Sequence, residues 1–368
     1  MPLQFGLVGL PLVGKTTIFN ALTAAGAEAT NYAKAQTKPN IGIAKVPDQR
    51  LRTINQFIKT QKILPATIQV VDVAGLAKGA STGQGGGNKF LAHIRDMDAV
   101  LHVVRCFENP DVLHVEQTID PVRDVETVET ELALADLELV SNSLDRAQRF
   151  ARSGEKEAVT RAELLKKCYD QLNEGKPLRD LEFTADEKKQ LKSMELITAK
   201  KSLFVANVGE EDTAGQSPMV QKLRDRCAQE NAPVVAVCGK LEAEIAELPE
   251  DQRGEMLEAM GLKEPALAVL AREAYKLLGL HSFLTAGPEE IRAWTIPIGA
   301  KAPEAAGAVH SDLERSFIKA EVYRVDDLAQ YKTESAIRQH GKLRLEGKEY
   351  VVQDGDVVHF MAGLAGRK

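Results

Sequence analysis

Apolar runs recur along the chain, and stretches with helical spacing separate most of them. The runs with strand character lie at residues 3–9, 67–72, 99–104, 203–206 and 234–238. Short apolar strands that alternate with helices predict an α/β fold with a doubly wound parallel sheet. Ligands bind to such a sheet at the carboxyl ends of its strands, so we expect functional residues to follow these runs.

The strand pattern stops between about residues 122 and 200. The stretch DVETVETELALADLELVSNSLDRAQRF has neither Gly nor Pro, and its apolar residues recur at three- and four-residue steps, which is typical of a helix. A second helical stretch, KEAVTRAELLKKCYDQL, follows Gly154. The pattern leaves two interpretations open: a helical hairpin packed on itself, or a coiled-coil arm that contacts a partner.

The pattern changes again near residue 280. From there apolar and polar residues alternate around Gly-containing turns, which predicts a small, mostly β module, and a helical tract at 264–279 precedes it. We therefore predict three domains: a sheet domain at residues 1–121 and 201–279, an inserted helical domain at 122–200 and a C-terminal domain at 280–368.

Composition excludes several classes of protein. The 368 residues carry a net charge of −6, which argues against indiscriminate coating of nucleic acid but leaves room for a local basic face. No run approaches the roughly 18 apolar residues of a membrane span, and no basic region precedes the first apolar run, as a signal peptide would require. Four cysteines without a CxxC pair indicate reduced thiols in a cytoplasmic protein.

Residues 9–16 read GLPLVGKT and match the phosphate-loop pattern G-x-x-x-x-G-K-[ST] between a predicted strand and a predicted helix. Glycines let backbone N–H groups turn towards phosphate oxygens, and the helix adds its positive N-terminal end. We expect Lys15 to reach the β- and γ-phosphates and Thr16 to offer its hydroxyl to Mg²⁺. The predicted phosphate-binding residues of this loop are Gly9, Leu12, Val13, Gly14, Lys15, Thr16 and Thr17.

A second phosphate-site motif, DVAG, begins at Asp72, where an apolar strand ends. An acid at this place is suited to hold Mg²⁺ through water, so we predict Thr16 and Asp72 as the metal-site residues. The N–H of Gly75 is placed to sense a γ-phosphate. The next residue is Leu76, where many switch GTPases have the glutamine that orients the attacking water, so another group would have to position that water.

The sequence ANVGE at residues 206–210 follows another strand and resembles the guanine-reading motif Asn-Lys-x-Asp, with valine for lysine and glutamate for aspartate. Guanine offers two donors, N1–H and the N2 amine, to an aspartate, whereas adenine offers an acceptor at N1 and a donor at N6. We predict a base-binding loop made by Asn207, Val208, Gly209 and Glu210. In this hypothesis Asn207 and backbone groups read the adenine edge, and Val208 packs on the ring.

These motifs together indicate a family. The phosphate loop, DVAGLAKGAS, CFENPDVLHV, ANVGE and RLEGKEYVVQDGDVVHF occur in this order, and the chain resembles the YchF/Obg-like ATPase family over essentially its full length. The resemblance implies a P-loop domain, an inserted helical coiled coil and a C-terminal TGS module with a ubiquitin-like fold. It also implies Mg²⁺-dependent hydrolysis, ATP preferred to GTP, a hydrophobic residue in place of the catalytic glutamine, and association with the ribosome.

The resemblance further implies a catalytic histidine on a flexible loop. The matching position in FENPDVLHVEQ is His114, which acts on the attacking water in this hypothesis. Its neighbours suggest an exposed loop, where a histidine without family context is usually a solvated bystander.

The resemblance also raises the prospect of RNA contact through the TGS module and the coiled coil. The C-terminal module contributes positive charge through Lys342, Arg344, Lys348, Arg367 and Lys368. Its acidic pair, Asp354 and Asp356 in QDGD, is more typical of a turn.

Two positions depart from the family pattern. The family threonine that helps to hold Mg²⁺ falls on Gln36, with Thr37 beside it, and the choice between them is open. Leu12 stands where the family commonly has asparagine. Because leucine cannot ligate a cation, we expect no strong K⁺ stimulation through this residue.

Three functions fit these residues. The first is an enzyme, a slow ATPase whose hydrolysis resets a conformational switch. The second is a binding module, a nucleotide-gated ribosome or RNA partner with incidental turnover, which Leu76 favours. The third is a GTPase of the Obg class, against which the ANVGE loop argues.

Overall fold

The computed structural model describes residues 3–24, 40–73 and 87–363. Contacts between Cα atoms divide the chain into two compact units. Unit 1 consists of Met1–Ala44 and Ile68–Leu270, and unit 2 consists of Lys45–Thr67 and Ala271–Lys368. Residues 45–67 therefore group with the C-terminal part of the chain, which the sequence pattern did not predict.

The strands of the described residues are β1 (Gln4–Val8), β2 (Asn40–Lys45), β3 (Lys62–Leu64), β4 (Thr67–Asp72), β5 (Ala99–Cys106), β6 (Lys201–Val208), β7 (Val234–Val237), β8 (Leu280–Ala286), β9 (Glu290–Pro297), β10 (Phe317–Arg324), β11 (Arg344–Glu346) and β12 (Asp356–Ala362). The helices are α1 (Lys15–Ala24), α2 (Gln49–Phe57), α3 (Gly87–Arg95), α4 (Pro121–Ala151), α5 (Lys156–Asn173), α6 (Ala185–Leu191), α7 (Pro218–Ala228), α8 (Gly239–Glu247), α9 (Glu250–Ala259), α10 (Ala266–Leu277), α11 (Ala302–Val309), α12 (Ser311–Arg315), α13 (Val325–Tyr331) and α14 (Glu334–Gln339).

Unit 1 is built on a six-stranded sheet in the order β2-β4-β1-β5-β6-β7. The neighbouring strands from β4 to β7 pair in parallel. All five apolar runs singled out in the sequence are strands of this sheet, so the predicted doubly wound parallel sheet is confirmed. Every residue of β5 and all but the first residue of β6 are buried, because central strands of a parallel sheet are covered on both faces.

The inserted segment forms a hairpin of two long helices, α4 and α5, which pack along each other. Helix α4 begins after Asp120, whose Oδ1 accepts hydrogen bonds from two backbone N–H groups of the first turn. The hairpin has a core of its own that includes Val140, Leu144, Leu165 and Cys168. The interpretation as a hairpin packed on itself is therefore correct, and contact with a partner stays a prediction.

A buried network of charges joins the base of this hairpin to helix α7. Glu129 of α4 pairs with Arg179 and with Arg226 of α7, and both arginines also pair with Glu230. The distance from Arg226 Nη2 to Glu129 Oε2 is 2.9 Å, and that from Arg179 Nη2 to Glu230 Oε2 is 2.6 Å. Because each charge has two opposite partners, part of the cost of burying it is offset, and α4 is fixed to the sheet domain.

Unit 2 contains a second six-stranded sheet, in the order β11-β10-β12-β8-β9-β3. Strands β8 and β9 are antiparallel, as are β10 and its two neighbours, whereas β12–β8 and β3–β9 are parallel. The module was predicted to be mostly β, but α11 to α14 lie between its strands. These helices have only five to eight residues each, too short for helical periodicity to stand out.

Residues 45–67 belong to this second sheet domain through specific contacts. Strand β3 pairs with β9, and the guanidinium of Arg50 forms an ion pair with Asp354 at 2.9 Å. Asp354 and Gly355 make the predicted turn, and Asp356 is fully buried. The carboxylate of Asp356 accepts hydrogen bonds from Tyr350 Oη at 2.6 Å and from Arg344 at 3.3 Å.

Two further expectations from composition concern membranes and thiols. In the described ranges, no helix has the length and apolar character needed to cross a membrane. All four cysteines are free and buried, and burial raises the pKa of Cys106 and Cys227 to about 12. These thiols are therefore poor nucleophiles.

Candidate active site

The phosphate loop connects β1 to α1 and has the backbone that its glycines permit. Gly9 has a φ of 148° and Gly14 has a φ of 95°, values that L side chains rarely adopt. A Cβ atom on Gly9 would lie 2.4 Å from the carbonyl oxygen of Val103, and one on Gly14 would lie 2.2 Å from Nδ2 of Asn207. Both positions therefore require glycine for space as well as for conformation.

Lys15 lies inside this loop, with 7% of its surface exposed. Its Nζ donates to the carbonyl oxygens of Gly9 at 3.1 Å and Leu10 at 2.7 Å. Burial lowers the pKa of Lys15 to about 8, against the opposing effect of Asp72. A bound phosphate would favour the charged form and raise this pKa again.

The two predicted metal-site residues lie next to each other. Thr16 Oγ1 donates a hydrogen bond to Asp72 Oδ2 at 2.9 Å, because β4, which ends at Asp72, is the parallel neighbour of β1. Burial raises the pKa of Asp72, and the Thr16 hydroxyl and Lys15 oppose that shift. A hydroxyl and a carboxylate oxygen side by side fit Mg²⁺, which takes few protein ligands and keeps several waters.

Several predicted residues lie outside the described residues. They are Gly75, the candidate sensor of the γ-phosphate, Leu76 at the glutamine position, and Gln36 and Thr37, the alternatives for the second Mg²⁺ ligand. Their roles stay predictions.

One cavity of about 620 Å³ joins the phosphate loop to the ANVGE loop. This volume is in the range of small-molecule and cofactor sites, roughly 300–1,000 Å³. The residues that line it are Leu12, Gly14, Lys15, Thr16, Thr17, Phe107, Glu108, Asn109, Val112, Asn207, Val208, Gly209, Glu210, Glu211, Cys238 and Lys240. All four predicted base-binding residues and five of the seven predicted phosphate-loop residues are among them. Gly9 and Val13 instead contribute carbonyl oxygens that accept from Lys15 and Asn207.

The hydrogen bonds of Asn207 give its side chain a structural role. Its Nδ2 donates to the carbonyl oxygen of Val13 at 2.8 Å, and its Oδ1 accepts from the N–H of Gly239 at 3.0 Å. The side chain is thus a buried bridge between the phosphate loop and the start of α8. Asn207 is the second-last residue of β6 and lies beside the phosphate loop and the first residue of α8. Its amide therefore satisfies one backbone group of each. One N–H of Nδ2 and one lone pair of Oδ1 take no part in these two bonds, and the reading of the adenine edge by Asn207 stays a prediction.

Val208 belongs to the core of the sheet. The side chain is 3% exposed and belongs to a core cluster with Val104, Cys106 and Phe204. Both faces of β6 are covered, so the side chain of its last residue is buried as well. It therefore packs in the sheet core and also lines the cavity, and its packing on the base stays a prediction.

Glu210 forms an ion pair with Lys240, with 2.6 Å between Oε1 and Nζ. Hydrogen bonding to Glu210 raises the pKa of Lys240. The sequence motifs missed Lys240. It follows the apolar run at residues 234–238, so the rule that ligand-binding residues follow strands could have found it.

His114 lies in a different environment from the one predicted. Its side chain is only 3% exposed, and Nε2 lies 2.8 Å from Oδ2 of the equally buried Asp124. Its Nδ1 accepts the N–H of Glu116 at 3.1 Å, so Nε2 carries the proton that is donated to Asp124. The prediction of an exposed loop histidine is therefore wrong, and His114 is not among the residues that line the cavity.

Comparisons with known proteins agree with this architecture. A family model described as 50S ribosome-binding GTPase matches residues 4–143, and the model YchF-GTPase_C, described as a protein of unknown function, matches residues 280–363. Curated proteins named Ribosome-binding ATPase YchF from Pasteurella multocida and Bacillus subtilis are 46% and 47% identical to the chain. Each alignment covers 98% of this chain and 99% of the relative.

A solved structure also matches the whole chain. The structure of the Schizosaccharomyces pombe YchF GTPase superposes with a TM-score of 0.85 at 33% identity. The match covers 98% of this chain and 97% of that chain.

Proposed function

The chain belongs to the YchF family, and on this basis we propose that it is a Mg²⁺-dependent nucleoside-triphosphate hydrolase that prefers ATP to GTP. Hydrolysis is slow in this proposal and resets a conformational switch that acts on the ribosome, in the cytoplasm. One observation carries the proposal: a single cavity is lined both by the phosphate loop and by the ANVGE loop. The names of the curated relatives support the nucleotide and the ribosome as partners.

The phosphate end of the cavity supports hydrolysis of a triphosphate. Thr16 and Asp72 would hold Mg²⁺, which when bound neutralises charge that develops on the transferred phosphoryl group. Lys15 supplies a buried positive charge whose present partners are two backbone carbonyl groups of the same loop. Carbonyl groups neutralise no charge, so phosphate oxygens are better partners for this ammonium.

The base end of the cavity supports the preference for ATP. Recognition of guanine needs a free carboxylate that accepts two donors, and the carboxylate of Glu210 is directed at Lys240. Backbone groups of Val208 and Gly209 are left to read the adenine edge. The same geometry argues against the alternative of an Obg-class GTPase.

His114 is the proposed catalytic residue through the family resemblance. Both of its ring nitrogens have protein partners, so the ring must leave Asp124 before it can position a water. Catalytic hydrogen bonds often form only in the substrate complex, and such a movement is compatible with a slow switch.

A second candidate function is a nucleotide-gated RNA or ribosome partner with incidental turnover. The tip of the α4–α5 hairpin favours it: Phe150 is 73% exposed there, among the exposed arginines Arg146, Arg149 and Arg152. An exposed ring and guanidinium groups suit stacking on bases and contact with phosphates. In the C-terminal module, Arg344 is engaged by Asp356 and is less available for RNA.

Equilibrium binding of non-hydrolysable ATP and GTP analogues tests the first function. We expect nucleotide-free protein to bind the ATP analogue more tightly, and Mg²⁺ to strengthen binding. Thr16→Ala should remove most of the Mg²⁺ dependence, whereas Thr130→Ala, an exposed threonine in α4, should not. Equal affinities for the two analogues would refute the ATP preference.

Co-sedimentation with ribosomes, with and without the ATP analogue, tests the second function. Phe150→Ala should weaken sedimentation, while Leu134→Ala, which removes another exposed apolar side chain of α4, should not. Loss of sedimentation with unchanged hydrolysis would place the ribosome contact at the hairpin tip. Equal sedimentation of both variants and the wild type would refute that contact.

A further inference from the structure

Arg105 is a fully charged side chain in the interior of unit 1. It lies near the carboxyl end of β5 and is 1% exposed. Its guanidinium donates three hydrogen bonds, from Nε to the Phe107 carbonyl at 3.2 Å, from Nη2 to that of Asn109 at 3.2 Å and from Nη1 to that of Val112 at 3.0 Å. The guanidinium carbon also lies 4.6 Å from the centre of the Phe107 ring.

These bonds define the shape of the segment from Phe107 to Val112. The segment follows the last residue of β5 and has neither helical nor strand structure, so backbone bonds hold it only in part. The carbonyl of Asn109, for example, also accepts the N–H of Val112 at 3.3 Å. The planar guanidinium presents donors in fixed directions and can hold three carbonyl groups at once. A buried charge with so many bonds to one segment is costly to disengage, so the segment is held firmly.

The same segment forms a wall of the nucleotide cavity. Phe107, Glu108, Asn109 and Val112 all line it. Arg105 is the register partner of Asn207 in the neighbouring parallel strand β6. The two side chains thus leave adjacent strands at paired positions. One is tied to the phosphate loop and α8, and the other is tied to the segment that lines the cavity together with the ANVGE loop.

We propose that Arg105 is a positioning residue for the nucleoside part of the ligand. It holds the Phe107–Val112 segment as the wall beside the base-binding loop, and it does not touch the phosphates, which the phosphate loop binds. The proposal rests on the proposed function in that the cavity takes a nucleoside triphosphate. The proposal predicts that loss of Arg105 weakens the binding of a nucleoside triphosphate. The binding of a triphosphate without a nucleoside should stay the same.

The test compares two ligands on the purified full chain by calorimetry in Mg²⁺: a non-hydrolysable ATP analogue and inorganic tripolyphosphate. Arg105→Met should weaken binding of the ATP analogue about tenfold and change that of tripolyphosphate less than about twofold. Arg105→Lys, which keeps the charge but not the fork of donors, should give an intermediate loss and serves where the Met variant does not fold. The ratio of the two affinities is informative because partial unfolding would reduce both equally.

Arg161→Met is the matched control. Arg161 is a partly buried arginine of α5 that donates to the Gln190 carbonyl at 2.8 Å, away from the cavity. This variant should leave the ratio of affinities unchanged. An equal loss for both ligands in the Arg105 variants, or no loss for either, would overturn the proposal. Failure of the proposed function would instead appear in the wild-type protein, as no binding of either the ATP or the GTP analogue.

Discussion

The carboxylate of Glu210 and the ammonium of Lys240 form an ion pair at the base end of the cavity, with 2.6 Å between Oε1 and Nζ. Glu210 ends the ANVGE loop, and Lys240 is the second residue of α8. Both side chains are more than half exposed, so the pair adds little to stability. In the proposed function, the pair directs towards a lysine the carboxylate that would otherwise accept the two guanine donors.

Removal of Lys240 should therefore increase the affinity for GTP. We expect Lys240→Met to strengthen binding of a GTP analogue about threefold and to change that of an ATP analogue less than twofold. The freed carboxylate of Glu210 can then accept N1–H and the N2 amine of guanine. Dissociation constants for the two analogues provide the measurement.

Two further variants control this prediction. Lys222→Met removes an exposed lysine of α7 and should change neither affinity. The double variant Lys240→Met with Glu210→Gln should lose the gain. An unchanged GTP affinity in Lys240→Met would mean that Glu210 does not face the base. Val208→Lys is unsuitable for such a switch, because it would bury an ammonium group in the sheet core.

Loss of the His114 imidazole should slow the hydrolysis step and leave nucleotide binding unchanged. We expect His114→Ala to reduce the single-turnover rate of hydrolysis by roughly a hundredfold, with the nucleotide dissociation constant within twofold of wild type. His359→Ala, which removes an exposed histidine of β12, should change neither quantity. Unchanged single-turnover hydrolysis in His114→Ala would show that His114 is a structural partner of Asp124 only.

The bond between His114 and Asp124 makes a separate prediction. If the ring must leave Asp124 to act, Asp124→Asn should weaken the restraint, because a neutral amide holds the Nε2–H less strongly than a carboxylate. We expect its single-turnover rate to equal or exceed that of wild type. A rate as low as that of His114→Ala would indicate instead that Asp124 orients His114 for catalysis.

The backbone of Leu12 should be strained in a way that a substitution can relieve. Its φ is 64°, in the left-handed region that asparagine and glycine tolerate better than leucine, and its side chain is 59% exposed. We expect Leu12→Asn to increase the free energy of unfolding by about 1 kcal/mol, measured by denaturant titration. Leu113→Asn, at an exposed leucine without a positive φ, should bring no such gain.

The residue at position 12 also bears on the effect of K⁺. The side chain of Leu12 has no atom that can ligate a cation. We therefore expect the wild-type protein to hydrolyse nucleotide at equal rates in K⁺ and Na⁺. A large, saturable stimulation of the wild type by K⁺ would contradict this expectation.

His102 should make stability depend on pH. It is 3% exposed, and burial, together with the positive charges of Arg179, Lys15 and Arg226, lowers its pKa from 6.5 to about 3. Between these values the unfolded chain binds more protons than the folded one, so stability falls as the pH decreases. We expect wild type to lose about 2 kcal/mol more than His102→Gln between pH 7 and pH 5. His359→Gln should behave as wild type in the same unfolding titrations.

The sequence by itself determined the sheet and the phosphate end of the site. Five of the six described strands in the sheet of unit 1 were readable, because buried parallel strands are continuous apolar runs. Thr16 and Asp72 were expected to lie close together because one follows a strand and the other ends the neighbouring strand, and their hydrogen bond confirms this. These features depend on the local spacing of apolar residues and on the rule that ligands bind at the carboxyl ends of parallel strands. Both can be applied to a sequence without a structure. The family resemblance agrees with them.

Only the tertiary structure decided what each side chain at the base end contacts. Asn207 and Val208 lie where the motif predicted, yet one bridges the phosphate loop to α8 and the other fills the core. Lys240 and Arg105 carry no motif, because their partners are an acid and backbone carbonyl groups brought near by the sheet. The grouping of residues 45–67 with the C-terminal module has the same cause: β3 finds its partner β9 more than two hundred residues later, a pairing that no local pattern encodes.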